Sequence, residues 1–220
     1  MTTPTDPTAG PAGVTTPAGA TDAANSVDDA PAARRLRVAT AWLGGCSGCH
    51  MSFLDLDESL FDLAERADIV FGPLADIKTF PEDVDLTLVE GAIANSDNLE
   101  LAHAIRANTR VVVSFGDCAV TGNITALRNP LGDPAEMLQR VYVERADLAG
   151  VIPTDVVPTL LPQVLPLHEA VGVDVYLPGC PPSADRIRTA LFALLDAIEA
   201  GDDITAVAAA RPPDQLRFGN

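Results

Sequence analysis

The chemistry in this sequence is concentrated in its four cysteines. Two stand in Trp42-Leu43-Gly44-Gly45-Cys46-Ser47-Gly48-Cys49, a Cys-x-x-Cys placed between an apolar run and a helical pattern. The third follows in Gly116-Asp117-Cys118 and the fourth in Pro178-Gly179-Cys180-Pro181-Pro182. A [4Fe–4S] cluster needs four thiolates in tetrahedral disposition, and Cys-x-x-Cys on a turn lets one loop wrap a corner of it. Gly44, Gly45, Gly48, Gly116 and Gly179 let the backbone approach closely and aim N–H groups at the sulfides. Pro181-Pro182 stiffen the last ligand.

Other readings of the same residues are weaker. Structural zinc also takes four cysteines, but usually from two Cys-x-x-Cys knuckles, and here Cys118 and Cys180 are single and far apart. A redox dithiol at Cys46 and Cys49 would use a helix start to lower a thiol pKa, yet it leaves Cys118 and Cys180 without a task. Cysteines that merely pack in a core would not sit in loops beside Gly and Pro. One iron–sulfur cluster is favoured, with zinc as the alternative.

The elements that must gather these residues alternate strand with helix. Leu36 to Leu43 is a strand, Cys49 to Ala67 a helix with Phe53, Leu56, Leu60, Leu63 and Ala64 at three- and four-residue steps. Short strands follow at Asp68–Phe71 and Val84–Val89, the latter ending at Glu90-Gly91. Asp97 to Asn108 reads as a helix capped by Asp97, and Arg110 to Phe115 as a strand buried on both faces. Gly116 to Asn129 reads as a loop, and Asp133-Pro134 opens a helix through about Glu144. Pro153, Pro158, Pro162 and Pro166 make 150–166 an irregular apolar segment. Val173–Leu177 is the last strand, and Ser183–Ala200 the last helix, with a stripe of Ile187, Leu191, Leu194, Leu195 and Ile198. The fold class is therefore α/β, a flavodoxin-like parallel sheet with helices on both faces. Cys46/Cys49, Cys118 and Cys180 then fall just past the carboxyl ends of three strands, where such sheets bind ligands.

Composition bounds the rest. The balance of 14 basic against 31 acidic residues, a net charge of −17, argues against nucleic acid or anionic lipid as a partner. No apolar run approaches the roughly 18 residues that a membrane span needs. Residues 1–33 have no apolar periodicity and read as a disordered tail, 34–200 as the ligand-binding domain, and 201–220 as a C-terminal extension. Arg34-Arg35 reads as two charges flanking a strand rather than an export signal, which places the chain in a reducing cytosol, where cysteines are ligands more often than disulfides.

Taken together, Trp-Leu-x-x-Cys-x-x-Cys ending at Cys49, Gly-x-Cys at Cys118 and Pro-Gly-Cys-Pro-Pro around Cys180 resemble the proximal-cluster pattern of the small subunit of [NiFe]-hydrogenases, over roughly Leu36 to Leu195. The run Cys49-His50-Met51-Ser52-Phe53-Leu54-Asp55 is most similar to the cytoplasmic NAD-reducing (bidirectional) branch. The related complex I subunit carries adjacent cysteines where this chain has Cys46-Ser47-Gly48-Cys49. The sequence ends 40 residues past Cys180 with no further cysteine, so one cluster is expected. The resemblance implies a large subunit holding the NiFe site, a flavin- and cluster-bearing diaphorase that reduces NAD⁺, and Cys46, Cys49, Cys118 and Cys180 as ligands of the relay cluster. FMN is a lesser expectation at the same edge, since no separate phosphate loop is present.

Further residues are weighed against plainer roles. His50, beside a ligand, either hydrogen-bonds near the cluster or simply packs. His168 is a candidate for partner contact and His103 for plain surface. Asp55, Asp57 and Glu58 are candidates for proton transfer, though carboxylates in a helix's first turns commonly just favour its dipole. Asp117 is expected to orient the Cys118 loop, and Val151–Leu167 to offer partner surface.

Overall fold

A computed structural model describes residues 34–204, so the readings of 1–33 and 205–220 lie outside the described residues. Five strands form one parallel sheet: β1 (Leu36–Trp42), β2 (Ala67–Phe71), β3 (Val84–Glu90), β5 (Thr109–Phe115) and β7 (Val175–Leu177), in the order β2-β1-β3-β5-β7. Counting only the strands of this sheet, that is the 2-1-3-4-5 order of flavodoxin-like folds, with its switch point between β1 and β3. The three central strands are buried almost throughout, as in a sheet covered on both faces.

The β5 strand shows how the faces divide. Val111, Val113 and Phe115 pack against α1 (Gly48–Leu54), α2 (Ser59–Arg66) and α8 (Ala184–Ala200), whose whole expected stripe from Ile187 to Ile198 is buried. Val112 turns the other way, into a core with Ala102 and Ile105 of α3 (Ser96–Asn108), Ala119 of α4 (Asp117–Thr121) and Leu167 of α7 (Leu167–Ala170). Arg35, half of the arginine pair, ties down the start of β1: it bonds the carbonyls of Ala64 and Ala67 and pairs with Asp68 at 3.1 Å. Among the described residues no helix is long and apolar enough to cross a membrane.

Four local expectations change. The single helix over 49–67 is two, because Asp57 turns into the left-handed region (φ 49°) and Leu56 folds into the core between them. Asp55, Asp57 and Glu58 therefore lie exposed in a turn rather than in the first turn of a helix. The cap of α3 is Asn95, whose side chain accepts from the Asn98 N–H, so Asp97 stands inside the helix. The loop over 116–129 contains α4 and α5 (Asn123–Ala126) and leads into a 3-10 turn at Asn129–Leu131. The irregular segment contains β6 (Leu160–Leu165), antiparallel to β4 (Ile93–Asn95) in a separate two-stranded ribbon. Pro162 is tolerated there because an edge position needs no N–H. Arg128 bonds the Leu161 and Ala94 carbonyls, and Asn129 exchanges two hydrogen bonds with Val164. The helix at Asp133-Pro134 is α6 (Pro134–Gln139), capped by Asp133 as expected and continued by a π-helical turn to Glu144.

Candidate metal centre

Register sets the geometry of the site. Trp42 lies abreast of Glu90, Glu90 of Phe115 and Phe115 of Leu177, so one row crosses the carboxyl edge of β1, β3, β5 and β7. Three of those strands release their cysteines from this row within a few residues, Cys46 after Trp42, Cys118 after Phe115 and Cys180 after Leu177. The fourth, β3, contributes the Glu90 carboxylate instead.

Glu90 organises the Cys-x-x-Cys. Ser47 takes a left-handed turn (φ 67°) and its side chain does not cap α1. Glu90 supplies the missing acceptor from 40 residues away. Its carboxylate takes the Cys49 N–H at 3.4 Å and the His50 N–H at 2.9 Å, and it also pairs with His50 Nδ1. A carboxylate here meets both the orphan donors and the positive end of the helix dipole. Glu90 is only 1% exposed, and burying it unpaired would be costly. His50 is clasped between this carboxylate, the Trp42 ring stacked at 5.9 Å and the tilted Phe115 ring at 6.2 Å.

The Cys118 and Cys180 loops are fastened to each other. Asp117 Oδ1 accepts the Gly179 N–H at 2.7 Å, and the Asp117 N–H donates to the Gly179 carbonyl at 2.9 Å. This is the orienting role expected of Asp117, with the Cys180 loop as its object. Ser52 on α1 donates to the Pro182 carbonyl at 2.6 Å, joining the first loop to the third. Gly116 permits the close approach: a Cβ there would stand 2.2 Å from Cys49 Sγ, and its φ of +82° already favours glycine.

The four thiols share one electrostatic neighbourhood. Cys49 and Cys118 are buried, whereas Cys46 and Cys180 are exposed. Burial pushes the Cys49 thiol up to about 12, and Glu90 and the Cys118, Cys46 and Cys180 sulfurs add to the rise. Burial also raises Cys118, with Cys46 and Cys180 adding; neighbouring Thr125 and the Ile124 backbone oppose it. Four thiolates left together would repel, so the donor set calls for a cationic centre. Among the described residues no three Cys, His, Asp or Glu side chains close tightly enough to grip a single ion. The donor chemistry and the close approach that Gly116 allows to Cys49 fit an iron–sulfur cluster.

The remaining candidates fall elsewhere. His103 is exposed on α3, as expected, and His168 is exposed on α7 with its ring edge-on to Tyr176 at 6.1 Å. Val151 and Val156 are exposed, but Val164 and Leu167 are buried, so the segment 151–167 divides between surface and core. Glu90, Ser52, Asn123 and Thr125 do not stand out in the sequence as site residues. For Glu90 a signal exists, since a carboxylate closing a strand buried along its length must find a partner.

A profile of the family described as NADH ubiquinone oxidoreductase, 20 Kd subunit, matches residues 46–194, from the first cysteine into α8. The chain belongs to this family. A subunit of the F420-non-reducing hydrogenase of Methanothermobacter thermautotrophicus is 40% identical over 168 residues, 74% of this chain and 54% of its own length. The HoxS delta subunit of the NAD-reducing hydrogenase of Cupriavidus necator is 38% identical over 181 residues, 79% of this chain and 84% of its own. A relative from Archaeoglobus profundus, 32% identical over 180 residues (73% of this chain, 56% of its own), is named an iron-sulfur subunit of an F420-non-reducing hydrogenase. Against the F420-non-reducing relatives, the chain spans about half of their length. Among solved structures, a chain of an NAD⁺-reducing [NiFe]-hydrogenase in the H2-reduced state superposes with a TM-score of 0.74 at 41% identity, covering 84% of this chain and 100% of that one.

Proposed function

We propose that this family member is the electron-relay subunit of a cytoplasmic [NiFe]-hydrogenase, with Cys46, Cys49, Cys118 and Cys180 holding one [4Fe–4S] cluster. The observation that supports it most is the release of all four cysteines from one row of the sheet edge into one electrostatic neighbourhood. The HoxS delta relative and the NAD⁺-reducing [NiFe]-hydrogenase fold support the NAD-linked branch. A large subunit would carry the NiFe site, and a diaphorase with flavin and further clusters would exchange electrons with NAD⁺.

The cluster, when bound, takes up and passes on one electron at a time. The chain's own residues do the rest. Glu90 fixes the Cys49 end of α1, and Asp117 locks the second and third loops in register. Buried Cys49 and Cys118 face the core and keep water from that side, while exposed Cys46 and Cys180 face outward, where a partner must approach for rapid electron exchange.

The test is co-expression with the hydrogenase large subunit and the diaphorase. Unaltered chain co-purifies with a nickel-containing partner and supports hydrogen-dependent NAD⁺ reduction; Cys180→Ser keeps the partner and loses the reduction. A chain that binds no nickel protein refutes the assignment. A complex I-like role is the second reading, favoured by the description of the matched family and opposed by Cys46-Ser47-Gly48-Cys49 and the hydrogenase relatives. FMN at the same edge is a secondary expectation, checked by flavin release on acid precipitation.

A further inference from the structure

The junction of α4 with α5, Gly122 and the first residues of α5, addresses two of the four sulfurs at once. Asn123 Nδ2 donates to Cys180 Sγ at 3.4 Å. From the next residue, the Ile124 N–H acts on Cys118. Thr125 Oγ1 donates its one proton to the Gly44 carbonyl at 3.0 Å, which ties this stretch to the loop of the first two cysteines. Asn123 adopts φ 32°, a backbone region that asparagine tolerates better than most side chains. Asn123 is the first residue of α5, behind the glycine at its cap position, and the partner of its amide in this arrangement is the Cys180 sulfur.

Hydrogen bonds to thiolate sulfur stabilise the more negative, reduced state of an iron–sulfur centre and so raise its potential. We propose that Asn123 is a potential-setting residue, its amide donating to the Cys180 thiolate and holding the cluster's midpoint above the value the four cysteines alone would give. Cys180 is one of the two exposed cysteines, so the bond acts at the face where electrons are exchanged. The inference deepens the relay reading and rests on it.

The experiment uses the full chain, reconstituted anaerobically with iron and sulfide, and reads the midpoint by EPR during dithionite titration. Asn123→Gly removes the amide and accepts the positive φ; Asn123→Asp keeps the shape but replaces the donor by a carboxylate. Both are expected to keep the iron content and visible spectrum of the unaltered chain while titrating at a more negative midpoint, the Asp variant further than the Gly. An iron-loaded variant that titrates at the unaltered midpoint overturns the inference. If Asn123→Gly does not hold iron, Asn123→Asp decides on the same terms, and loss of iron from both assigns Asn123 a purely structural role and overturns it too. Failure of the unaltered chain to take up iron is a separate result, which removes the relay reading itself.

Discussion

Gly116 has no side chain, and the place where a Cβ would stand lies 2.2 Å from the Cys49 sulfur. Gly116→Ala must therefore displace the cysteine or the β5–α4 turn, and it adds strain of about 1–3 kcal/mol at φ +82°. Such a chain is expected to lose most of its iron on reconstitution. Gly201→Ala is the control: its φ of +73° carries similar strain, but no atom lies within 4 Å, so its iron content should be unchanged. Glu90 is the second decisive residue. Glu90→Ala leaves the Cys49 and His50 N–H groups and the imidazole without their acceptor, and breaking such a buried pair costs about 3–5 kcal/mol, measurable by chemical denaturation of the cluster-free chain. The Cys49 thiol gives a pH dependence with a definite sign. Its folded value, raised to about 12, lies above the ordinary 9.0, so the folded state binds this proton more firmly than the unfolded one. The cluster-free chain should keep this contribution below pH 9, then lose it as pH climbs toward 12. Equilibrium denaturation across that range checks it.

Among the elements, α8 anchors the face beneath the site, and Leu191 at its centre is fully enclosed. Leu191→Ala should destabilise the chain by roughly 2–5 kcal/mol in denaturant titrations. The period of α8 is strong enough to read directly from sequence, as is the apolar run of β5, because each buries a continuous face. The helix predicted over 49–67 shows where periodicity misleads: Leu56 continues the pattern although Asp57 reverses the chain after it. Strand β6 is hidden by its prolines, since Pro162 weakens a local strand signal and only pairing with β4 and the bonds from Arg128 and Asn129 reveal it. The cysteines are legible because strand ends and glycines mark them. Their fastenings, Glu90 to Cys49 and Asp117 to Gly179, link residues 41 and 62 positions apart, and no local pattern carries such partners.

At the scale of the whole molecule, the strand order brings a turn after β1, one after β5 and one after β7 to a single edge, and the row from Trp42 to Leu177 sets their common height. The chain carries a net charge of −17, and the proposed ligands are themselves anionic when they bind, so four thiolates at one edge would call for a cationic metal. Elemental analysis of the anaerobically purified full chain, read together with its visible spectrum, is the most direct test of that requirement. A [4Fe–4S] centre predicts four irons and four acid-labile sulfides per chain, with broad absorbance that bleaches on dithionite. A colourless chain carrying one zinc, or one whose iron survives Cys118→Ser and Cys180→Ser together, would contradict it.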